Sequence, residues 1–181
     1  MKSLLLVLFL PLPVIANAAE FSKVQADKSS VIFVSKQMSV PVEGLFKKFT
    51  AQMRINPAKP EAGKAQIEID LASIDVGSAE ANDEVKGKSW FNVSEFPKAE
   101  FVSTSVKALG GGKFEATGKM TIKGKSMEMR APFTLKEDKG VLDVAGEFPL
   151  KRLDFGIGSG LWSDTSVVAD EVQIKFHLLL K

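Results

Sequence analysis

The sequence VADEVQIKFHLLL, from Val168 to Leu180, places an apolar side chain at almost every second position. Val172, Ile174 and Phe176 alternate with polar or charged neighbours. This period of two is typical of a strand in an antiparallel sheet, with one face against a core and the other toward water. The stretch therefore predicts an all-β fold.

The same period recurs along most of the chain and predicts eight strands. They are Ser30–Met38, Leu45–Ile55, Ala65–Leu71, Ala99–Ala108, Phe114–Ile122, Ser126–Leu135, Val141–Lys151 and Val168–Leu180. Turns rich in Gly, Pro, Asn and Asp separate them. One polar segment, residues 78–91, breaks the pattern and predicts a short surface helix that begins after Ser78 and ends at Gly87.

A fold with eight strands and one short helix has to bury one apolar face of its sheet. Closure into a barrel does this and also removes exposed edges. A β-sandwich has the same alternation, but strands of about ten residues at ~3.3 Å each suit a long barrel better. We therefore predict an extended eight-stranded antiparallel barrel, whose interior is either filled by side chains or holds one small ligand.

The N-terminal residues 1–18 have the pattern of a cleaved signal peptide. Lys2 precedes the apolar run Leu4–Leu10, and Ala16-Asn17-Ala18 fits the small-x-small cleavage rule. The apolar run is shorter than the about 20 residues that span a bilayer, so we expect no stable membrane span. Residues 19–181 are then predicted to form a single domain of an exported, periplasmic protein.

Composition argues against several classes of function. The 24 Lys and Arg against 22 Asp and Glu are interspersed, without the basic cluster of a nucleic-acid-binding protein. With no cysteine, one histidine and no G-x-S-x-G motif, the chain lacks the usual parts of a hydrolase or a zinc site, so we expect neither an enzyme nor a metal. A transmembrane barrel would need aromatic girdles, but the chain has no tyrosine and two tryptophans.

Six short pieces of the chain, in order, resemble the YceI-like lipid/polyisoprenoid-binding family. They are Asp27–Phe33 (DKSSVIF), Gly44–Thr50 (GLFKKFT), Ile67–Val76 (IEIDLASIDV), Trp90–Phe101 (WFNVSEFPKAEF), Gly118–Gly124 (GKMTIKG) and Arg152–Ile157 (RLDFGI). The resemblance implies a lipocalin-like barrel whose lumen holds a long isoprenoid or similar lipid, in an exported and sometimes dimeric protein. Two positions depart from the family pattern. Trp90 stands where many relatives have phenylalanine, and Gln37, where many have histidine, bears on contacts to a ligand head group.

The candidate ligand-binding residues are the apolar faces of the predicted strands and one loop tryptophan. They are Phe33, Ile67, Ile69, Phe101, Phe114, Met120, Ile122, Met127, Met129, Phe133, Trp162, Val172, Ile174 and Phe176. The three methionines favour an adaptable wall, because thioether side chains fit irregular guests. Trp162 lies in the glycine-rich loop Gly156–Asp164, where it either caps the barrel or packs on its rim. Arg152 is expected to pair with Asp154 or to fix this loop.

Together with the apolar faces, the resemblance implies noncovalent binding of a long-chain isoprenoid or fatty lipid in the lumen, for periplasmic transport, storage or sequestration. At ~0.8 kcal/mol per methylene, each isoprene unit contributes roughly 3–4 kcal/mol, so binding needs no strong polar anchor. We predict no cofactor other than a bound lipid such as a polyprenyl chain or an isoprenoid quinone. The sequence does not decide between a monomer and a homodimer. The alternative is a filled barrel that acts as a stress-related protein-interaction module without a lipid.

Overall fold

The structure, a computed structural model, describes residues 20–181, so the predicted signal peptide lies outside the described residues. Its strands are β1 (Ser30–Gln37), β2 (Val40–Phe46), β3 (Phe49–Arg54), β4 (Lys64–Asp70), β5 (Ile74–Asp75), β6 (Lys98–Gly110), β7 (Lys113–Ile122), β8 (Lys125–Asp138), β9 (Val141–Lys151) and β10 (Glu171–Leu180). None of the helices in this part of the chain has the length and hydrophobicity that a membrane crossing requires.

The predicted surface helix is confirmed as α1 (Ala79–Lys86). The Ser78 hydroxyl accepts a hydrogen bond from the Ala81 N–H at 3.2 Å, as an N-cap residue should, and Gly87 is the C-cap. No residue of α1 is fully buried. The helix therefore lies at the surface of the protein.

All strands belong to one antiparallel sheet in the order β3-β4-β6-β7-β8-β9-β10-β1-β2-β5. The sheet curls so that its two ends meet, because β2 pairs with β1 while β3, the next stretch of chain, pairs with β4. If β2 and β3 count as one bent strand and the two-residue β5 is set aside, the ten strands become the predicted eight. The lipocalin-like antiparallel barrel is thus confirmed in its architecture.

The predicted strand Leu45–Ile55 was wrong in its bounds. It joins the end of β2 to the whole of β3 and misses the first part of β2. Pro41, Glu43 and Gly44 interrupt the alternation there, and proline and glycine are both unfavourable inside strands. The side-chain pattern therefore concealed a segment that pairs with β1 through its backbone.

The corner between β2 and β3 is held by the short turn that follows β4. The Lys47 N–H donates to the Ser73 carbonyl at 3.1 Å, and the Lys48 N–H donates to the Ser73 hydroxyl oxygen at 3.0 Å. The Asp70 N–H donates to the Lys48 carbonyl at 3.1 Å. These bonds satisfy backbone groups that the bend removes from the strand ladder, which is a requirement for any stable corner.

The barrel has two distinct ends. The first, here called the helix end, carries α1 and residues 156–168. The other, the N-segment end, is crossed by residues 21–25, where the Phe21 side chain is buried and its N–H donates to the Ile55 carbonyl at 2.9 Å. Two hydrophobic clusters lie toward these ends, one around Phe21 and one around Phe155.

Removing the Ser73 hydroxyl tests the corner. We expect Ser73→Ala to lower the free energy of unfolding by about 0.5–1.5 kcal/mol, because it removes the acceptor of the exposed Lys48 N–H. Urea denaturation measures this change. Ser105→Ala is the control, since Ser105 is exposed on β6 and forms no side-chain hydrogen bond within the described residues, and its effect should stay within about 0.5 kcal/mol. Equal stability of the two variants would contradict the role of the corner.

Candidate functional site

A cavity of about 440 Å³ lies inside the barrel. Its wall includes Phe101 and Leu178 from the cluster around Phe21, and Leu150 and Val172 from the cluster around Phe155. The cavity therefore extends along the barrel from one cluster to the other, and side chains alone do not fill the interior. Its volume lies within the range of roughly 300–1,000 Å³ that is usual for small-molecule sites.

Eleven of the fourteen predicted ligand-binding residues line this cavity. They are Phe33, Ile67, Ile69, Phe101, Met120, Ile122, Phe133, Trp162, Val172, Ile174 and Phe176. They come from β1, β4, β6, β7, β8, β10 and the loop at the helix end. The alternation in the sequence thus identified the inward face of most strands correctly.

The other three predicted residues lie outside the cavity wall. Phe114 stacks on Phe133 with ring centroids 5.5 Å apart, at the edge of the cluster around Phe21. Met127 and Met129 pack against the cluster around Phe155, on the part of β8 that is not paired with β9. A period of two predicts the face on which a side chain lies, but not which part of that face borders a cavity.

Three phenylalanine rings of the wall lie close against a glycine of a neighbouring strand. The rings of Phe33, Phe101 and Phe176 cover Gly44, Gly118 and Gly146, so a Cβ at any of these glycines would overlap a ring. Each ring therefore occupies space beside the backbone that a larger residue would take. This arrangement makes the wall aromatic while leaving the middle of the lumen open.

At the helix end, the wall contains side chains that strand periodicity could not identify. Trp90 and Phe91, which follow α1, line the cavity together with Ala81 of the helix itself. The Phe91 ring lies 6.3 Å from the ring of Phe46 on β2. The only sequence signal for these residues was the aromatic pair in the piece that resembles the family, because they belong to no strand.

Polar residues border the cavity where it approaches the surface. Exposed Gln37 and Glu84 lie at the helix end, and exposed Lys64 lies toward the opposite end. Gln37 is also bridged to Val168, which joins the tip of β1 to the loop before β10. Gln37 is therefore positioned at the border of the cavity.

Trp162 connects two elements across the helix end. Its indole Nε1–H donates to Glu84 Oε1 on α1 at 2.9 Å, and its ring centroid lies 5.3 Å from that of Trp90. The side chain also lines the cavity. Trp162 therefore packs against Trp90 at the helix end and also borders the lumen.

Arg152 holds the loop of residues 156–168 in place. Its side chain is only 2% exposed, and burial lowers the pKa of its guanidinium from the ordinary value. All five N–H groups are used, at 2.7–3.0 Å, on the backbone carbonyls of Ile157, Gly158, Trp162, Val168 and Ala169. The guanidinium therefore fixes the loop, as one of the predicted roles stated, and has no N–H left for a ligand head group.

The start of α1 is anchored through Asp75. Its carboxylate lies 2.6 Å from Lys47 Nζ, and the hydrogen bond from Lys47, followed by those from the Gly77 N–H and the Asn82 side chain, lowers the pKa of Asp75 to about 2. Asn82 Oδ1 in turn accepts from the Val76 N–H at 2.7 Å. Polar contacts at this end and the Trp162–Glu84 bond thus hold the helix across the cavity.

Comparison with known proteins gives consistent results. The family model described as the YceI-like domain matches residues 23–180. A UPF0312 protein from Pseudomonas savastanoi is 34% identical over 131 residues, which is 68% of each chain. The crystal structure of Burkholderia cenocepacia BcnA is 49% identical with a TM-score of 0.86 and covers 88% of this chain and 100% of its own. A polyisoprenoid binding domain from Saccharophagus degradans, implicated in plant cell wall breakdown, has 17% identity and a TM-score of 0.68, with coverages of 91% and 99%.

Replacing the guanidinium tests whether it holds the helix end together. We expect Arg152→Lys to lower the free energy of unfolding by about 3 kcal/mol or more, because an ammonium cannot satisfy five carbonyls in that geometry. The tryptophan emission maximum, to which Trp90 and Trp162 both contribute, should also shift to longer wavelength as the loop loosens. Exposed Arg130 on β8 provides the matched control, and Arg130→Lys should leave both quantities unchanged. A wild-type urea midpoint for Arg152→Lys would refute this role.

Proposed function

This chain belongs to the YceI-like domain family, and from that premise we propose that it binds a long-chain isoprenoid or similar apolar lipid noncovalently in its cavity. The observation that carries the proposal is the cavity of about 440 Å³ with an almost wholly apolar wall. The Saccharophagus degradans protein with this fold is described as a polyisoprenoid binding domain. That description supports the chemical class of the guest.

Burial of apolar surface supplies the binding energy. Rings such as Phe33 and Phe176 and aliphatic side chains such as Ile67 and Ile174 offer contacts along the length of the lumen. Each isoprene unit that leaves water gains roughly 3–4 kcal/mol before ordering costs are subtracted. Several buried units would therefore suffice for tight binding with few polar contacts.

The polar groups of the cavity suit binding better than catalysis. The Ser103 hydroxyl oxygen already accepts from the Ala65 N–H at 2.8 Å, and the Glu100 carboxylate accepts from Gln66 Nε2 at 2.8 Å. Arg152 is saturated by backbone carbonyls, and Glu84 is bonded to Trp162. No nucleophile with an adjacent base is found among the described lining residues. We therefore propose a binding protein rather than an enzyme.

We also propose a periplasmic role in transport, storage or sequestration of the lipid. The support is the signal-peptide pattern of residues 1–18, which lies outside the described residues. An apolar chain in an aqueous compartment requires an enclosing carrier, and a lipocalin-like barrel provides one. The guest can be a polyprenyl chain or an isoprenoid quinone, and a homodimer stays a prediction.

A charge placed in the wall tests the proposal. Geranylgeraniol added to the purified protein should quench the fluorescence of Trp90 and Trp162, which both line the cavity. Ile174→Asp should weaken this binding by at least about tenfold, because the guest would have to desolvate a carboxylate. Far-UV circular dichroism checks that the variant is folded.

The control uses the neighbouring residue on the same strand. Gln173→Asp introduces the same charge, but successive side chains of a strand lie on opposite faces, and Gln173 is not in the cavity wall. Its affinity for geranylgeraniol should match the wild type. Equal affinity of a folded Ile174→Asp variant, or no binding by the wild type of prenyl alcohols and prenyl quinones alike, would reject a lipid guest in this cavity.

A further inference from the structure

Three of the five exposed large hydrophobic side chains within residues 20–181 lie at the helix end. Within residues 20–181, the large hydrophobic side chains with the highest exposures are Leu161 at 95%, Met38 at 73% and Val40 at 62%. Single exposed apolar residues are ordinary in soluble proteins. A group of them beside the opening of an apolar cavity is different, because such a group is typical of an interaction site. We call Met38, Val40 and Leu161 the rim.

Backbone contacts join the segments that carry the rim. The Met38 N–H donates to the Val167 carbonyl at 2.8 Å, and Val40 faces Gln37 across the turn from β1 to β2. Arg152 Nη2 donates to the Trp162 and Val168 carbonyls, each at 2.7 Å. Because Leu161 directly precedes Trp162, all three rim residues project from one connected unit.

The turn that presents Met38 is unusual in its sequence. Met38 and Ser39 have φ angles of 48° and 67°, in the left-handed region that hairpin turns usually assign to Asn and Gly. A conformation of this kind is unfavourable for methionine, and its side chain gains no burial there in compensation. Lys123 and Lys139 have nearly the same φ in other turns of the chain, so the turn accounts for the exposed position of Met38 and not for its apolar character.

We propose that the rim inserts into the surface of a lipid bilayer, so that a guest passes between the bilayer and the cavity without crossing water. A lipid surface fits best because Met38 and Leu161 directly adjoin Gln37 and Trp162 in the chain, and both of these residues line the apolar cavity. Shallow insertion of a few apolar side chains gives weak, reversible attachment whose strength increases with the apolar area buried. The passage of the guest rests on the proposed function, whereas attachment to vesicles can be measured without any guest.

The test compares uptake of geranylgeraniol from two sources, phosphatidylcholine vesicles and cyclodextrin, followed by tryptophan fluorescence. Met38→Ser combined with Leu161→Ser should slow uptake from vesicles by at least about fivefold and leave uptake from cyclodextrin unchanged. Leu109→Ser is the matched control. Leu109 is 50% exposed and lies at the tip of the β6–β7 hairpin. This tip is at the end of β7 opposite to Lys123, whose Nζ donates to the Gly156 carbonyl at the helix end.

Uptake from vesicles at the wild-type rate by the double variant would overturn the proposal, and so would an equal slowing by Leu109→Ser. Flotation with guest-free phosphatidylcholine vesicles separates this proposal from the proposed function. The wild type and Leu109→Ser should float with the vesicles more than the double variant does, even if geranylgeraniol is taken up from neither source. Equal flotation of all three proteins would reject docking on lipid. This result is also the one expected if the rim binds another protein instead.

Discussion

The corner at Lys47 and Lys48 is the constraint on which the rest of the structure depends. An antiparallel sheet of this length has two edges, and here they are joined because one stretch of chain pairs with β1 before the corner and with β4 after it. The bend is possible because Lys47 and Lys48 form hydrogen bonds with Ser73 and Asp70 in place of those that the strand ladder loses. Closure at this point turns a twisted sheet into an enclosed, apolar interior.

The cavity follows from closure together with two local arrangements. The rings of Phe33 and Phe176 lie against glycine backbone, which keeps them out of the middle of the lumen. At the helix end, Arg152 spends its hydrogen bonds on the loop of residues 156–168. The buried guanidinium therefore holds the loop in its conformation and has no N–H group left to recognise a ligand. A site built in this way selects its guest mainly by length and hydrophobicity, because few polar groups remain available.

Much of the fold and of the wall was predictable, and the exceptions have physical causes. Alternation such as that of β10 reflects burial on one face, which a sequence records directly. Alternation does not predict the start of β2, because the segment before Gly44 pairs with β1 through its backbone and its side chains do not alternate. Met127 and Met129 were assigned to the lumen because alternation carries no information on where β8 leaves β9. The carbonyls that accept from Arg152 belong to the backbone of residues 157–169, and backbone groups leave no pattern in a sequence.

The central claim is that the enclosed space holds a lipid. Native mass spectrometry of protein purified without detergent tests it most directly, with the same sample then denatured and its organic extract analysed. The account predicts a stoichiometric adduct of isoprenoid mass that leaves when the barrel unfolds and appears in the extract. An intact mass equal to that of the bare polypeptide, a clean extract and no adduct after incubation with prenyl alcohols or prenyl quinones would contradict it.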